Sequence, residues 1–183
     1  MLGVRGKNIS IRRFEPRDAP AVLDLRVRNR EFFKPWEPIR DESAFQLGGV
    51  ESELQISMSL WKRGDAFVFG VFTSPGEELV GGVALRNIAR GAWQNATLGY
   101  WIDREHNGRG FATEAVTLAV SFAFDEAGLH RVQAGTLLHN IASQRVLEKA
   151  GFRFEGISQR YLLINGNWED HRMYAITVED LKG

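Results

Sequence analysis

The chain has 183 residues, which at about 150 residues per domain argues for one domain spanning 1–183. Hydrophobic residues make up 44% and charged residues 25%, which excludes wholesale disorder. The absence of cysteine excludes disulfides, a thiolate nucleophile and any Cys-built zinc site. Lys and Arg (23) balance Asp and Glu (23), so no net field draws the chain to nucleic acid or to a membrane.

The start, MLGVRGKNISIRR, turns polar too early for a signal-peptide core. The longest apolar stretch, Ala115 to Phe124, is broken by Thr117 and Ser121 and falls far short of the about 20 residues that span a bilayer. A soluble, cytoplasmic protein is the expectation.

Alternating residues from Asn8 to Phe14 predict a first strand, and Pro16, Arg17 and Asp18 open a helix to about Arg30. The prolines of FFKPWEPIRDES interrupt it, and Asp41 or Ser43 can cap a second helix to about Lys62. AFVFGVFTS and ELVGGVALRN predict two strands around an SPGE turn, NIARGAWQN reads as a looser connection, and TLGYWID as the next strand. A glycine-rich loop then leads into a helix of about Thr113 to Ala127, closed at Gly128, and RVQAGTL is the strand after it. Strand, helix, strand at this length predicts a parallel pair. A short helix, Ile141 to Ala150, is capped by Asn140, and two closing strands run through FRFEGI–YLLIN and HRMYAIT with NGNWED turning between them. The predicted class is mixed α/β, around one largely antiparallel sheet with a central parallel pair.

The loop NGRGFATEA (Asn107 to Ala115) carries the chemistry. Glycines at 108 and 110 let backbone N–H groups converge at a helix N-terminus, a seat suited to a diphosphate, although a plain structural turn explains them about as well. It lacks the Lys-Ser/Thr ending of a P-loop and the third glycine of a dinucleotide-binding turn. The second motif, NIASQRVLEKAGF, begins where adjacent parallel strands part, so its polar N-terminal residues face a gap in which an extended ligand can lie.

Together these two motifs resemble the acyl-CoA motif pair of the GNAT superfamily of N-acetyltransferases. Asn107 stands where that family usually has Gln or Arg, while Gly110 and Ala112 match. The resemblance implies that Gly108, Arg109, Gly110, Phe111, Ala112 and the adjoining Asn107 and Thr113 bind the pyrophosphate of acetyl-CoA, with Asn140 beside it. It further implies a bulge in the preceding strand, whose Trp101 and Ile102 amides hold the pantetheine arm and the thioester carbonyl. It implies the acyl-CoA N-acyltransferase fold, with a splayed parallel pair, and no metal. NREFFKPWEPIRDES, GYWI, Asn140–Ser143 and YLLINGNWEDHRMYA narrow the resemblance to bacterial ribosomal-protein-alanine N-acetyltransferases, which modify a protein's N-terminal α-amine.

Such a transfer needs a neutral amine, a polarised carbonyl and a proton for the departing thiolate. Ser143 is the first candidate donor, as in related enzymes, against the alternative that it only caps its helix. Relatives that use this serine carry a glutamate nineteen residues later, where this chain has Leu162. Glu37 in KPWEP is the candidate base, with Asp170, His171 and a water relay as alternatives. Trp36 and Tyr100 are expected to wall the acceptor cleft, with Phe32, Phe33 and Trp101. The acceptor is expected to be a protein N-terminus, with a small amine as the alternative. A ribosome-associated factor that binds CoA but has little activity is a different-class alternative. Monomer and homodimer both stay open.

Overall fold

The computed structural model describes residues 3–181. Its sheet has eight strands: β1 (Gly3–Arg5), β2 (Ile9–Arg13), β3 (Phe67–Thr73), β4 (Leu79–Ala89), β5 (Asn95–Ile102), β6 (Arg131–Leu137), β7 (Arg153–Ile164) and β8 (Asn167–Thr177). The spatial order is β1-β2-β3-β4-β5-β6-β8-β7, antiparallel except for the parallel pair β5–β6. Four helices complete it: α1 (Ala19–Phe33), α2 (Leu47–Arg63), α3 (Phe111–Asp125) and α4 (Ile141–Lys149). The mixed α/β class, the antiparallel majority and the central parallel pair are those the sequence predicts.

Several boundaries move for local reasons. Pro16–Asp18 forms a separate 3-10 turn before α1, because the buried carboxylate of Asp18 accepts two N–H groups from Arg12 (2.7 and 2.9 Å) and the Glu15 amide (2.8 Å). Burial works to raise the Asp18 pKa, but the Arg12 fork and the Glu15 amide hold it below its ordinary value. Neither Asp41 nor Ser43 caps α2; a 3-10 turn at Glu42–Phe45 intervenes and α2 starts from Gln46 without a side-chain cap. β4 runs on to Ala89, into the connection the sequence reads as loose. The turn between β7 and β8 shrinks from NGNWED to Asn165 and Gly166, whose φ angles of 45° and 85° suit a two-residue hairpin turn. β1 is an added edge strand that three residues are too short to announce.

Two apolar clusters glue helices to the sheet. One joins Val83, Leu98, Val132 and Tyr174 to Ala115, Ala119 and Phe122 of α3 and Leu147 of α4. The other joins Phe72 and Leu79 to Val22 and Leu25 of α1 and Val50 and Leu54 of α2. Trp61 ties α2 to the first cluster through edge contacts with Phe67 (5.1 Å) and Phe69 (4.8 Å), each such pair adding about 0.5–1.5 kcal/mol beyond buried area.

The parallel ladder is short: Asn95, Ala96 and Thr97 pair with Arg131, Val132 and Gln133, and no further pair follows. Beyond it β5 continues to Ile102 and β6 to Leu137, so the strands part. α3 begins shortly after one arm of this V, and α4 just after the other. No helix among the described residues is long and apolar enough to cross a membrane.

Candidate active site

The V-shaped gap has free backbone on its β5 side. Asp103 donates its N–H to Val80 C=O (2.9 Å), which places Asp103, Trp101 and Gly99 with their backbone groups toward β4. By alternation the N–H of Leu98 closes the last rung of the parallel ladder, and those of Tyr100 and Ile102 face the gap, where no β6 partner pairs with them. The Ile102 amide therefore faces the gap, whereas the Trp101 amide is turned to the β4 ladder. The implied bulge at Trp101 is also not there. β5 pairs in unbroken register from Ile102 opposite Gly81 to Thr97 opposite Arg86, and the irregularity lies between Arg86 and Ala89.

The loop from Asn107 to Thr113 turns tightly into the N-terminus of α3. Gly108 and Gly110 have φ of 77° and 81°, a backbone region glycine enters without strain, and a Cβ on either would meet no atom within 4 Å. Gly110 takes the N-cap place of α3 with no side chain accepting from the first turn, so the leading amides through Thr113 are open to an anion. Glu114, the one acid of that turn, is drawn aside: its oxygens accept the Asn8 backbone (2.8 Å) and side-chain amides (2.9 Å). Arg109 reaches back to the Glu105 carbonyl (3.1 Å), and Phe111 stacks on the buried His106. Glycines with open space above them and unpaired amides fit an extended diphosphate ligand.

Across the gap, Asn140 caps α4 by accepting the Ser143 N–H on Oδ1 (3.1 Å). That leaves the Ser143 hydroxyl free of capping, and its Oγ lies 2.7 Å from the Tyr100 hydroxyl, which also reaches the Ser143 carbonyl (3.1 Å). Burial pushes the Tyr100 phenol up to about 12, with the Ser143 contact opposing, so it keeps its proton at neutral pH.

On the other side the KPWEP segment bridges from α1 to the β7–β8 hairpin. Trp36, 38% exposed, faces the ring of His139 (5.5 Å), and the Glu37 carbonyl accepts the Asn165 N–H (3.1 Å). Phe33 meets Trp101 edge-on (5.7 Å), and Arg26, Phe33, Glu37, Arg40, Phe45 and Trp101 line a shallow cleft there. Both oxygens of Glu37 receive N–H groups from Arg40 (2.9 and 2.8 Å), so this carboxylate is occupied in holding its loop. Asp170 is likewise engaged, accepting the Arg160 amide (2.8 Å) where β7 is irregular. Leu162 is 43% exposed on β7, opposite Glu169.

His171, buried and paired across the sheet with Leu137, stands at the end of β6 from which α4 departs. Its Nδ1 lies 2.9 Å from the Glu169 carbonyl, which can only accept, so Nδ1 carries a proton, and Nε2 has no partner among the described residues. Sequence reasoning missed two other features. One is the Tyr100 hydroxyl contact, which no local pattern encodes. The other is a buried knot of Asn29, Asp103 and His106, signalled only by Asn29 falling on the apolar stripe of Val22 and Leu25. Among the described residues no group of three or more His, Asp or Glu is placed to hold a metal ion.

The acetyltransferase (GNAT) domain matches residues 8–153. The chain is 42% identical over 177 residues to the probable N-acetyltransferase YjcK of Bacillus subtilis, covering 97% of this chain and 98% of the relative. It is 37% identical to the [ribosomal protein uS5]-alanine N-acetyltransferase of Escherichia coli, covering 93% and 88%. The crystal structure of Mycobacterium smegmatis RimJ in complex with CoA-disulfide superimposes with a TM-score of 0.91 at 31% identity, covering 96% of this chain and 84% of that one. The chain belongs to the GNAT family of acetyltransferases.

Proposed function

We propose that this GNAT family member, an acetyl-CoA-dependent acetyltransferase, acts on the N-terminal α-amine of a protein, with a ribosomal protein as the leading class of acceptor. The splayed strands carry the reading: a glycine loop beyond the end of one arm, unpaired amides along that arm and a serine hydroxyl just beyond the end of the other suit an extended acyl-CoA. The acceptor class is supported by the similarity to the uS5-alanine enzyme over 93% of this chain.

In this reading the amides of residues 108–113 hold the pyrophosphate, and the Ile102 or Tyr100 amide donates to the thioester carbonyl where negative charge develops. Acetyl-CoA supplies the activated acetyl group. Holding both reactants in one gap accounts for the largest share of the acceleration. The acceptor enters beneath the Trp36 loop, whose aromatic residues wall the cleft. Its amine lone pair forms the new C–N bond as the C–S bond breaks. An N-terminal amine has a pKa of about 7.7–8.0, so a weak base suffices.

We assign proton acceptance to His171 Nε2, directly or through water, in preference to Glu37, whose carboxylate is bound by Arg40. The net reaction moves one proton from nitrogen to sulfur. Ser143 delivers it, its Oγ held 2.7 Å from the Tyr100 hydroxyl at the edge of the gap. The test uses an Ala-starting peptide with one internal lysine, alongside the same peptide with a blocked N-terminus. Acetyl transfer to the first alone supports the reading, and equal transfer to both refutes it.

A further inference from the structure

Asn29 sits on the sheet-facing side of α1, 2% exposed. Its side-chain nitrogen donates to the Leu25 carbonyl (2.9 Å) and to Asp103 Oδ1 (2.8 Å), and its oxygen accepts the Arg104 N–H (3.0 Å). Asp103, 1% exposed, is the residue just after β5. Its Oδ2 accepts from Arg28 (2.8 Å) and contacts His106 Nδ1 (2.9 Å), and its carbonyl accepts the His106 N–H. His106 in turn stacks on Phe111, the first residue of α3. Burial alone would raise the Asp103 pKa, but Asn29, His106 and Arg28 hold it low, so the knot contains a carboxylate charge.

One helical turn beyond Asn29, about 6 Å along the axis, Phe33 packs on Trp101 and starts the turn that carries Trp36 and Glu37 to the hairpin. A single helix thus grips the base of the diphosphate loop at one point and the acceptor wall at the next. A buried charge cannot be left unpaired at small cost, so a shift in the 103–111 segment must drag α1 with it.

We infer that the Asn29–Asp103 pair couples the two substrate sites: filling the diphosphate cradle orders the acceptor wall through α1. Both are positioning residues and touch neither substrate. The inference rests on the placement of the CoA diphosphate at residues 108–113. By linkage, the acceptor must tighten acetyl-CoA by the same factor that acetyl-CoA tightens the acceptor.

The experiment is hydrogen exchange on the full chain with and without CoA alone, run beside calorimetry. Wild-type protein is expected to gain protection in residues 103–113 and also in 30–41. Asn29→Ala is expected to keep the first, lose the second, and lose the roughly fivefold or greater tightening of CoA that an Ala-starting peptide produces in the wild type, the low end of typical site-to-site coupling. With an Ala-starting peptide it should raise both KM values and leave kcat nearly unchanged, a split that general destabilisation does not produce. Protection confined to 103–113 in the wild type overturns the inference, and that result needs no variant to fold. Undiminished protection of 30–41 in Asn29→Ala overturns it as well. CoA that produces neither heat nor protection overturns the diphosphate placement itself, and this inference with it.

Discussion

The Tyr100 hydroxyl lies 2.7 Å from Ser143 Oγ, joining the arm of β5 to the first turn of α4 across the parted strands. Asn140 already caps that turn, so the serine oxygen has a single side-chain partner, one that stays protonated up to about pH 12. This contact holds the Ser143 hydroxyl in place at the edge of the gap.

Ser143→Ala should therefore lower kcat by about 100-fold, the low end for positioned proton transfer, with acetyl-CoA affinity nearly intact. Tyr100→Phe should lower it less, and the double variant should resemble Ser143→Ala, because the tyrosine acts through the serine. Stopped-flow or steady-state kcat on the three variants checks this. Near-normal turnover in Ser143→Ala would remove the serine from the mechanism.

Gly110→Asp places a carboxylate in the loop proposed to hold the diphosphate and forces a non-glycine residue to a φ of 81°. That backbone position alone costs roughly 1–2 kcal/mol. CoA affinity measured by calorimetry should collapse while the circular dichroism spectrum stays folded. Retained affinity would move the diphosphate elsewhere.

The pH dependence has two expected limbs. Initial rates should rise with pH through the acceptor amine's range near 7.7–8.0 and then level off, since Tyr100 does not ionise until about 12. The raised phenol also favours the folded state. That contribution is complete below the ordinary tyrosine value near 10 and is lost as pH climbs from there toward 12. Chemical-denaturation midpoints of wild type and Tyr100→Phe between pH 8 and 11.5 should diverge only above about pH 10, the ordinary tyrosine value.

Asp18 supplies the acid-side counterpart. Its depressed pKa contributes stability that is present above the ordinary carboxylate value of about 3.9 and fades as pH falls through the lower folded value. Asp18→Ala strands the Arg12 guanidinium and the Glu15 amide, and should cost about 2–3 kcal/mol near neutrality with a weaker acid dependence. Urea midpoints at pH 3 and pH 7 check both statements.

Features governed by local chemistry were legible from the residues. Asn140 and Gly151 bracket α4 because a cap and a left-handed stop are short-range events, and β6 lies at 131–137 as its apolar run indicates. The glycine loop announced itself because positive φ at 108 and 110 excludes most other residues. Contacts made between distant segments left no such trace. Tyr100 and Ser143 are 43 residues apart, and Asn29 and Asp103 are 74 apart. Glu37 reads as a free carboxylate in sequence because nothing marks Arg40, three residues on, as its bidentate partner. The unbroken β4–β5 register near Trp101 departs from the bulge that family resemblance implies, and only the ladder itself reveals it.

Acetyl transfer to a protein's N-terminal amine is decided by kcat/KM with acetyl-CoA across Ala-, Ser- and Met-starting peptides, a polyamine and an aminoglycoside. Mass spectrometry should find the α-amine acetylated, with the Ala-starting peptide turned over faster than either small amine. Faster turnover of the polyamine or the aminoglycoside, or no peptide product from protein that binds CoA, would contradict it.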